Sequence, residues 1–414
     1  MAAGGQVAAP AADASATARV LYLVSASHAT QHIYQALLPL TYPAILVTFH
    51  LTVGTLGLAV GVVGLLGGLC QVTAGPVARR INARWILGPQ NLALGLCSLA
   101  GSWAPVYPFF VGAQGVAQLA SSQQHPVGSS IVARAFPSRR GMALSTHNIG
   151  GSVGSLLVPL PAAVLISRLG WRPTLLLLAV PLLVMGLLFV LTFPGMPREP
   201  ASPDAARRRL FAGMRLHRSQ FLDPRVALFG VLAATVAAAG RGIGTLNTYI
   251  PLFLRDQVHL SLIAVGAVFN LVLLGAVLGP YLGGRVSDRL GRLPVLWTVY
   301  LASAPVIVLF GFSAHFPLAV TLVMATLVGL VVYVENPLLQ ALVSDAVTAP
   351  AQATVFGVYF AVAYGVGSLW LILLGWVIQH VGFSAAFGVM AACYLGAAAL
   401  LLPCRGRVGA RSRA

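Results

Sequence analysis

Apolar residues run along this chain in long blocks, not in the alternation of a strand or the narrow stripe of a soluble helix. Blocks of about 20 residues match a helix crossing a bilayer core. They recur near 19–46, 53–76, 85–104, 106–133, 142–167, 172–193, 226–254, 261–283, 294–312, 317–344, 353–379 and 383–402. A backbone that must satisfy its own polar groups in lipid has to be helical or a closed barrel. The pattern therefore predicts an all-α polytopic membrane protein with about 12 transmembrane helices. One long polar stretch divides the blocks six and six. The expected organisation is a disordered N-terminal tail (1–18), a six-helix bundle (19–193), a cytoplasmic linker (194–225), a second six-helix bundle (226–402) and a basic cytoplasmic tail (403–414). The first apolar block is too long for the core of a cleavable signal peptide.

The halves read as copies of one unit. Gln35 to Leu40 matches Asn247 to Leu252, Val153-Gly-Ser-Leu matches Val366-Gly-Ser-Leu, Ile166 to Trp171 resembles Ile378 to Phe383, and Gly75 to Asn82 pairs with Gly284 to Gly291. Landmarks in the same order at nearly constant separation indicate internal duplication. Small residues three or four apart also recur: Gly54, Gly57, Gly61, Gly64 and Gly68 in the second block, Gly150 and Gly154 in the fifth, Gly275, Gly279 and Gly283 in the eighth, and Gly357, Ala361 and Gly365 in the eleventh. Such seams mean close helix packing. Their symmetric recurrence suggests sliding contacts between two bodies that rock about a midplane site.

Composition agrees with lipid as the solvent: 58% hydrophobic and 8% charged residues, with a mean hydropathy of +0.88. A net charge of +17 would suggest nucleic acid in a soluble protein. Here the arginines cluster after the second, fourth, sixth, eighth and twelfth blocks, so the positive-inside rule places those loops and both termini in the cytoplasm, with no nucleic-acid partner. The four cysteines, Cys70, Cys97, Cys393 and Cys404, show no metal or disulfide spacing. No nucleotide loop, catalytic constellation or metal-ligand cluster is present, which excludes the common enzyme classes and any cofactor.

Two charges stand alone in apolar blocks. Glu335 lies within 317–342 and Arg241 within 226–254. An ionisable group at bilayer depth is a functional hypothesis. Arg241 keeps its charge, so Glu335, an anionic substrate group or both in turn should meet it, and a permanent structural pair is the plain alternative. Thr245 and Thr248 share its helix face at about 100° per residue. Glu335 can carry or gate a coupling proton. In the first block Ser25, His28, Gln31, His32 and Gln35 share one side. In the fourth, Gln114, Gln118, Ser121, His125 and Ser129 fall within one arc, with Pro126 loosening the helix. In the fifth, Ser145, Asn148, Ser152 and Ser155 line up, while Gly150 and Gly154 with His147 occupy much of the opposite side. One such residue usually bonds a neighbouring helix; whole stripes on three helices imply a water-filled cavity. His28, Gln35, Gln118, His125, Asn148, Thr245 and Arg241 are the candidate substrate-binding residues, and Glu335 and His32 the candidate proton carriers.

The loop Gly284-Arg-Val-Ser-Asp288-Arg289-Leu-Gly291-Arg292 resembles the Gly-x-x-x-Asp-Arg-x-Gly-Arg signature of the major facilitator superfamily. Its first-half partner has Arg79 and Asn82 where the family has Asp and Gly. Gly170-Trp171-Arg172 also resembles the superfamily. Within it, the chain is most similar to the fosmidomycin resistance group. That likeness rests on His28, Gln35, Leu38 and Pro39, on His125-Pro126, on Gly150 to Gly154 with Pro159, and on Arg241 to Leu254. His32 stands where that group commonly has Asp, Val127 where Glu often follows His-Pro, and Val158 where Gly precedes Pro.

The resemblance implies two six-helix bundles, alternating access and gating by Asp288, Arg289 and Arg292. It further implies a monomeric, proton-coupled exporter of a small polar or anionic, antibiotic-like compound in the bacterial inner membrane. Proton-coupled uptake of a small organic acid is the alternative, and a non-transporting scaffold or sensor the reading from another class.

Overall fold

The computed structural model describes residues 14–73, 77, 81–136, 139–194, 218–348 and 352–405. These are helical almost throughout, and Phe221 and Val347 form an isolated antiparallel bridge. The expected tail up to 13, most of the linker (195–217), the tail beyond 405, and Arg79 and Arg80 lie outside the described residues.

The first half contains α1 (Ala14–Thr48), α2 (Val53–Cys70), α3 (Arg84–Ser102), α4 (Tyr107–Ser121), α5 (Gln124–Ala135), α6 (Arg140–Leu156), α7 (Pro159–Leu169) and α8 (Trp171–Thr192). In the second half, α9 (Pro224–Ala237) is followed by a π turn, Gly242–Leu246, and α10 (Asn247–Asp256). Then come α11 (Leu262–Leu290), α12 (Arg292–Phe312), and α13 (Leu318–Leu327), which runs through a π turn, Val328–Val332, to α14 (Glu335–Asp345). Last are α15 (Gln352–Phe360), a π turn at Ala361–Gly365, α16 (Leu369–His380) and α17 (Phe383–Leu400).

Eight helical stretches among the described residues are long and apolar enough to cross a membrane. The expected first, third, fourth and seventh spans fall outside that set for visible reasons. Polar residues dilute α1 and α3, the fourth span is split into α4 and α5, and the seventh is split around Arg241.

The duplication is visible in the backbone. Gly170 and Gly382, at matched positions, turn one helix into the next with φ of 86° and 107°, values only glycine adopts without strain. Gly291 makes the same turn between α11 and α12.

The halves touch along α2 against 361–380, where a β-carbon at Gly57 would lie 2.7 Å from the Leu371 carbonyl and one at Gly68 would collide with the Gly365 backbone. They also touch where α7 meets α11 at Gly266 and where α1 meets α10. The other glycine seams are a correction to the symmetric sliding expectation. Gly150 and Gly154 seat α6 on α1 at Ser25 and Ala29, within one half. Gly275 and Gly279 seat α11 on Gly329 and Leu330, within the other. Periodicity marks a small-residue face but not the partner that it packs against.

Candidate functional site

Two clusters occupy the interior, one from each half. In the second half, the chain leaves α9 at Ala237, and Arg241 sits in the break with extended ψ before the π turn Gly242–Leu246. Its side chain is held on three nitrogens. Nε donates to Glu335 Oε1 at 3.2 Å, Nη1 to the Ala363 carbonyl at 2.7 Å and Nη2 to the Ala234 carbonyl at 2.5 Å. The cation thus meets the carbonyl end of α9, and the carboxylate sits in the first turn of α14. Each occupies the helix end that favours its charge. Glu335 Oε2 accepts from Tyr300 Oη at 3.3 Å. Side-chain exposure is 5% for Arg241 and 1% for Glu335, so the pair is fully desolvated. Removing one partner of such a pair typically costs about 3–5 kcal/mol.

Tyrosines enclose it. Gly240 and Gly242, on either side of Arg241, leave room for the rings of Tyr394 and Tyr333, which a β-carbon at either position would strike. Tyr394 Oη donates to the Gly240 carbonyl at 2.9 Å, and Tyr333 bonds Asn247. The Tyr364 ring lies 4.7 Å from the guanidinium, a cation–π contact. Its hydroxyl donates to Asn336 Oδ1 at 2.7 Å, and Gln340 Nε2 donates to the same oxygen at 3.1 Å. Tyr364, Asn336 and Gln340 are half-buried and form the layer over the pair.

Ala363 and Tyr364 belong to the π turn whose last residue, Gly365, meets Gly68 of the other half. The segment that clasps Arg241 is therefore also an inter-half contact. The Thr245 hydroxyl donates to the Ala238 carbonyl at 2.7 Å, one turn on from the Ala234 carbonyl that Arg241 meets, and stitches the break.

In the first half, four imidazoles converge from α1, α5 and α6. His28 lies 4.6 Å from His32 and 4.9 Å from His125 in edge-on contacts, and it stacks on His147 at 4.4 Å. His28 is buried, His32 half-buried and His125 exposed. His28 Nδ1 is 3.1 Å from the His147 carbonyl, and His32 Nδ1 is 2.9 Å from Ser155 Oγ. A β-carbon on Gly151 would lie 2.7 Å from His28 Cε1, so that glycine makes room for the ring. His147 was not a sequence candidate: helical arithmetic sets it opposite the polar stripe of α6, and that opposite side is the one α6 turns toward α1.

The remaining stripe residues divide. Gln31 donates to the Ser121 carbonyl at 3.3 Å, and Gln114 accepts from Tyr34 Oη at 2.7 Å, so both serve interhelical bonds. Gln118 packs against Gly67 of α2; Gln35 is half-buried and Asn148 exposed. A network not anticipated from sequence ties α1, α3 and α5: Ser27 donates to Gln124 at 3.0 Å, Gln90 to Gln124 at 2.7 Å, and Asn91 to Ser27 at 2.7 Å. In the signature loop, Arg292 Nη1 donates to Asp288 Oδ1 at 2.7 Å and Ser287 Oγ at 2.9 Å, and Arg292 Nε lies 3.5 Å from Asp345 Oδ2. Arg289 is exposed.

Among the described residues, membrane-length apolar helices, breaks within several of them and ionisable groups beside a break are the build of a multi-pass membrane transporter, not an enzyme. Residues 24–371 match the Major Facilitator Superfamily model, and the chain belongs to that family of transporters. It is 24% identical over 411 residues to the fosmidomycin resistance protein of Escherichia coli K12, covering 93% of this chain and 92% of that one. It is 28% identical over 187 residues to an MFS-type efflux pump of Mycolicibacterium smegmatis, covering 44% and 42%. Its fold is similar to that of the nucleoside transporter NupG, with a TM-score of 0.73 at 14% identity over 93% of this chain and 99% of that chain.

Proposed function

We propose that the chain exports a small polar or anionic compound in exchange for protons. It works as a monomer of 12 spans, by alternating access between six-helix bundles at 19–193 and 226–402. Its place is a bacterial inner membrane, with both termini cytoplasmic. The carrying observation is that the buried Arg241–Glu335 pair is clasped by the same turn, Ala361–Gly365, that meets the other half at Gly68. Rocking at that contact moves the Ala363 carbonyl and the Tyr364 ring, and with them two of the partners of Arg241.

Simple competition between Glu335 and an anionic substrate for one guanidinium would load proton and anion together, which is the coupling of the symport alternative. In the exchange reading the substrate binds against the intact pair, and a proton on Glu335 ends the attraction to Arg241 and lets the site release the substrate. Leaving either charge unpaired costs about 3–5 kcal/mol, which links proton uptake to substrate release. His28, His125, Gln35, Gln118 and Asn148 form the first-half side of the path, and His32 stands beside it as a second proton carrier. Arg292, bound to Asp288 and Asp345, latches the loop after α11 to the end of α14, with Arg289 at its edge. The names of the E. coli and M. smegmatis relatives support export.

The test is a substrate panel on inverted membrane vesicles under an imposed pH gradient. Accumulation in vesicles with an acidic lumen supports proton antiport and export. Accumulation only under the opposite gradient would replace it with uptake by symport, and gradient-independent behaviour with every compound would favour a non-transporting role.

A further inference from the structure

Three of the first-half imidazoles have the geometry of a ligand set. One nitrogen from each of His28, His32 and His125 lies within 4.8 Å of the others. In a tetrahedral site with metal–nitrogen bonds of about 2.0–2.1 Å, ligand nitrogens stand about 3.3 Å apart. Small rotations of the rings about their own side-chain bonds close that gap.

The hydrogen bonding is arranged in the same sense. His28 Nδ1 faces the His147 carbonyl at 3.1 Å, a contact that only an N–H can make, so Nε2 keeps its lone pair. That Nε2 and the Nε2 of His32 are buried without a hydrogen-bond partner. His32 Nδ1 is held by Ser155 Oγ at 2.9 Å. A ring fixed through one nitrogen, with the other bare and aimed at like neighbours, is how metal-ligating histidines are oriented. His125 is the exposed member and supplies the entry side. His147 stacks on His28 with planes 23° apart and backs the site, leaving the fourth position open.

We propose that His28, His32 and His125 bind one divalent transition-metal ion of the zinc class, with the open position toward the central pathway. Neutral imidazoles select Zn2+, Co2+, Ni2+ or Cu2+ over Mg2+ and Ca2+, which require oxygen ligands. The sequence has no Asp or Glu between 14 and 194, so the charge of the ion is balanced by an anion entering from the path. The inference rests on the proposed pathway for access to the site, and it does not depend on the Arg241–Glu335 coupling.

Full-length protein purified in detergent without an affinity-tag histidine run is titrated with Co2+, then with Zn2+. The expected result is the visible absorption of a tetrahedral Co(II) site at one ion per chain, displaced by Zn2+, with a Zn2+-dependent rise in Tm. His28→Ala, His32→Gln and His125→Ala each weaken binding at least tenfold. Ser155→Ala, which removes only the partner of His32, weakens it about 10–100-fold. The exposed His380→Ala leaves it unchanged. Thermal unfolding of each metal-free variant separates loss of ligand from loss of fold. Failure of the unaltered protein to show a tetrahedral spectrum or a Zn2+-dependent Tm shift would overturn the proposal, as would binding that survives in a folded His28/His32/His125 triple variant. Binding is read without a gradient, so its failure is distinct from failure of the transport reading.

Discussion

Polar groups in the two halves of the membrane domain are held in opposite ways. Around Arg241 and Glu335 every guanidinium nitrogen has an acceptor and both carboxylate oxygens have a donor, and tyrosine rings close over the pair. Around His28 the imidazoles touch one another while His28 Nε2, His32 Nε2 and both ring nitrogens of His147 lack a partner. A saturated pair holds its conformation until one partner is neutralised. A cluster of bare bases is receptive, because a proton or a metal ion would supply what it lacks. The charged cluster of the second half is therefore saturated, and the imidazole cluster of the first half is not.

The backbone makes the same distinction. Among the described residues the three π turns, at 242–246, 328–332 and 361–365, all lie in the second half; the first follows Arg241, and the last brings the Ala363 carbonyl and the Tyr364 ring to it. The first-half imidazoles instead ride on regular helices, positioned by Gly151 and by the close seat of α6 on α1.

The largest effect should come from breaking the saturated pair. Arg241→Ala or Glu335→Ala should each destabilise the protein by about 3–5 kcal/mol, read as a fall in Tm in detergent. Substituting both with apolar residues should recover much of that loss. Arg241→Lys keeps the charge but not the planar fork, so its transport should fall between the unaltered protein and Arg241→Ala. Equal, near-normal transport in both single variants would reduce Arg241 to a structural role.

Next in size is the inter-half contact that touches the pair. Gly68→Val would force its side chain into the Gly365 backbone, and overpacking typically costs about 1–3 kcal/mol. Transport should fall by tenfold or more, while Gly112→Val, at a position with open space around it, should leave transport within twofold. Similar losses in both would detach the contact from the mechanism.

The receptive cluster should respond more gently. If His32 carries part of the proton traffic, transport should follow a pH profile set in part by that imidazole. His32→Gln should then flatten the profile at unchanged expression. A profile that persists, together with a lowered Tm, would make His32 a partner of Ser155 only.

The smallest effect belongs to the interhelical bonds that do not face a path. Tyr34→Phe removes the bond to Gln114 and should cost about 0.6 kcal/mol, with transport unaltered. A large transport defect would move Gln114 from the helix interface into the site.

Arg241 and Glu335 were legible in the sequence because a charge inside an apolar block is conspicuous at any register. The duplicated landmarks were legible too, and Gly170 and Gly382 make the same positive-φ turn in each half. What stayed hidden was the break in the helix. No proline lies within 237–246 to announce the break and π turn, so the bond from Thr245 to the Ala238 carbonyl was not anticipated. His147 was missed because it lies on the Gly150–Gly154 side of α6, which the sequence marks as a packing face without naming α1 as its partner. The Ser27, Gln90, Asn91 and Gln124 network was missed for a related reason: each residue is ordinary on its own helix, and only the packing of α1, α3 and α5 brings them together.

The central claim is that Glu335 links proton movement to substrate movement by releasing Arg241. Glu335→Gln keeps the shape of the carboxyl side chain and removes its titration, so it isolates that step. In proteoliposomes carrying a substrate identified by the vesicle panel, two fluxes are compared: accumulation driven by a pH gradient, and substrate exchange with no gradient. Gradient-driven accumulation is predicted to fall to background in Glu335→Gln while exchange continues at a measurable rate. Full gradient-driven accumulation by the variant would contradict the account and leave the Arg241–Glu335 pair as a structural tie.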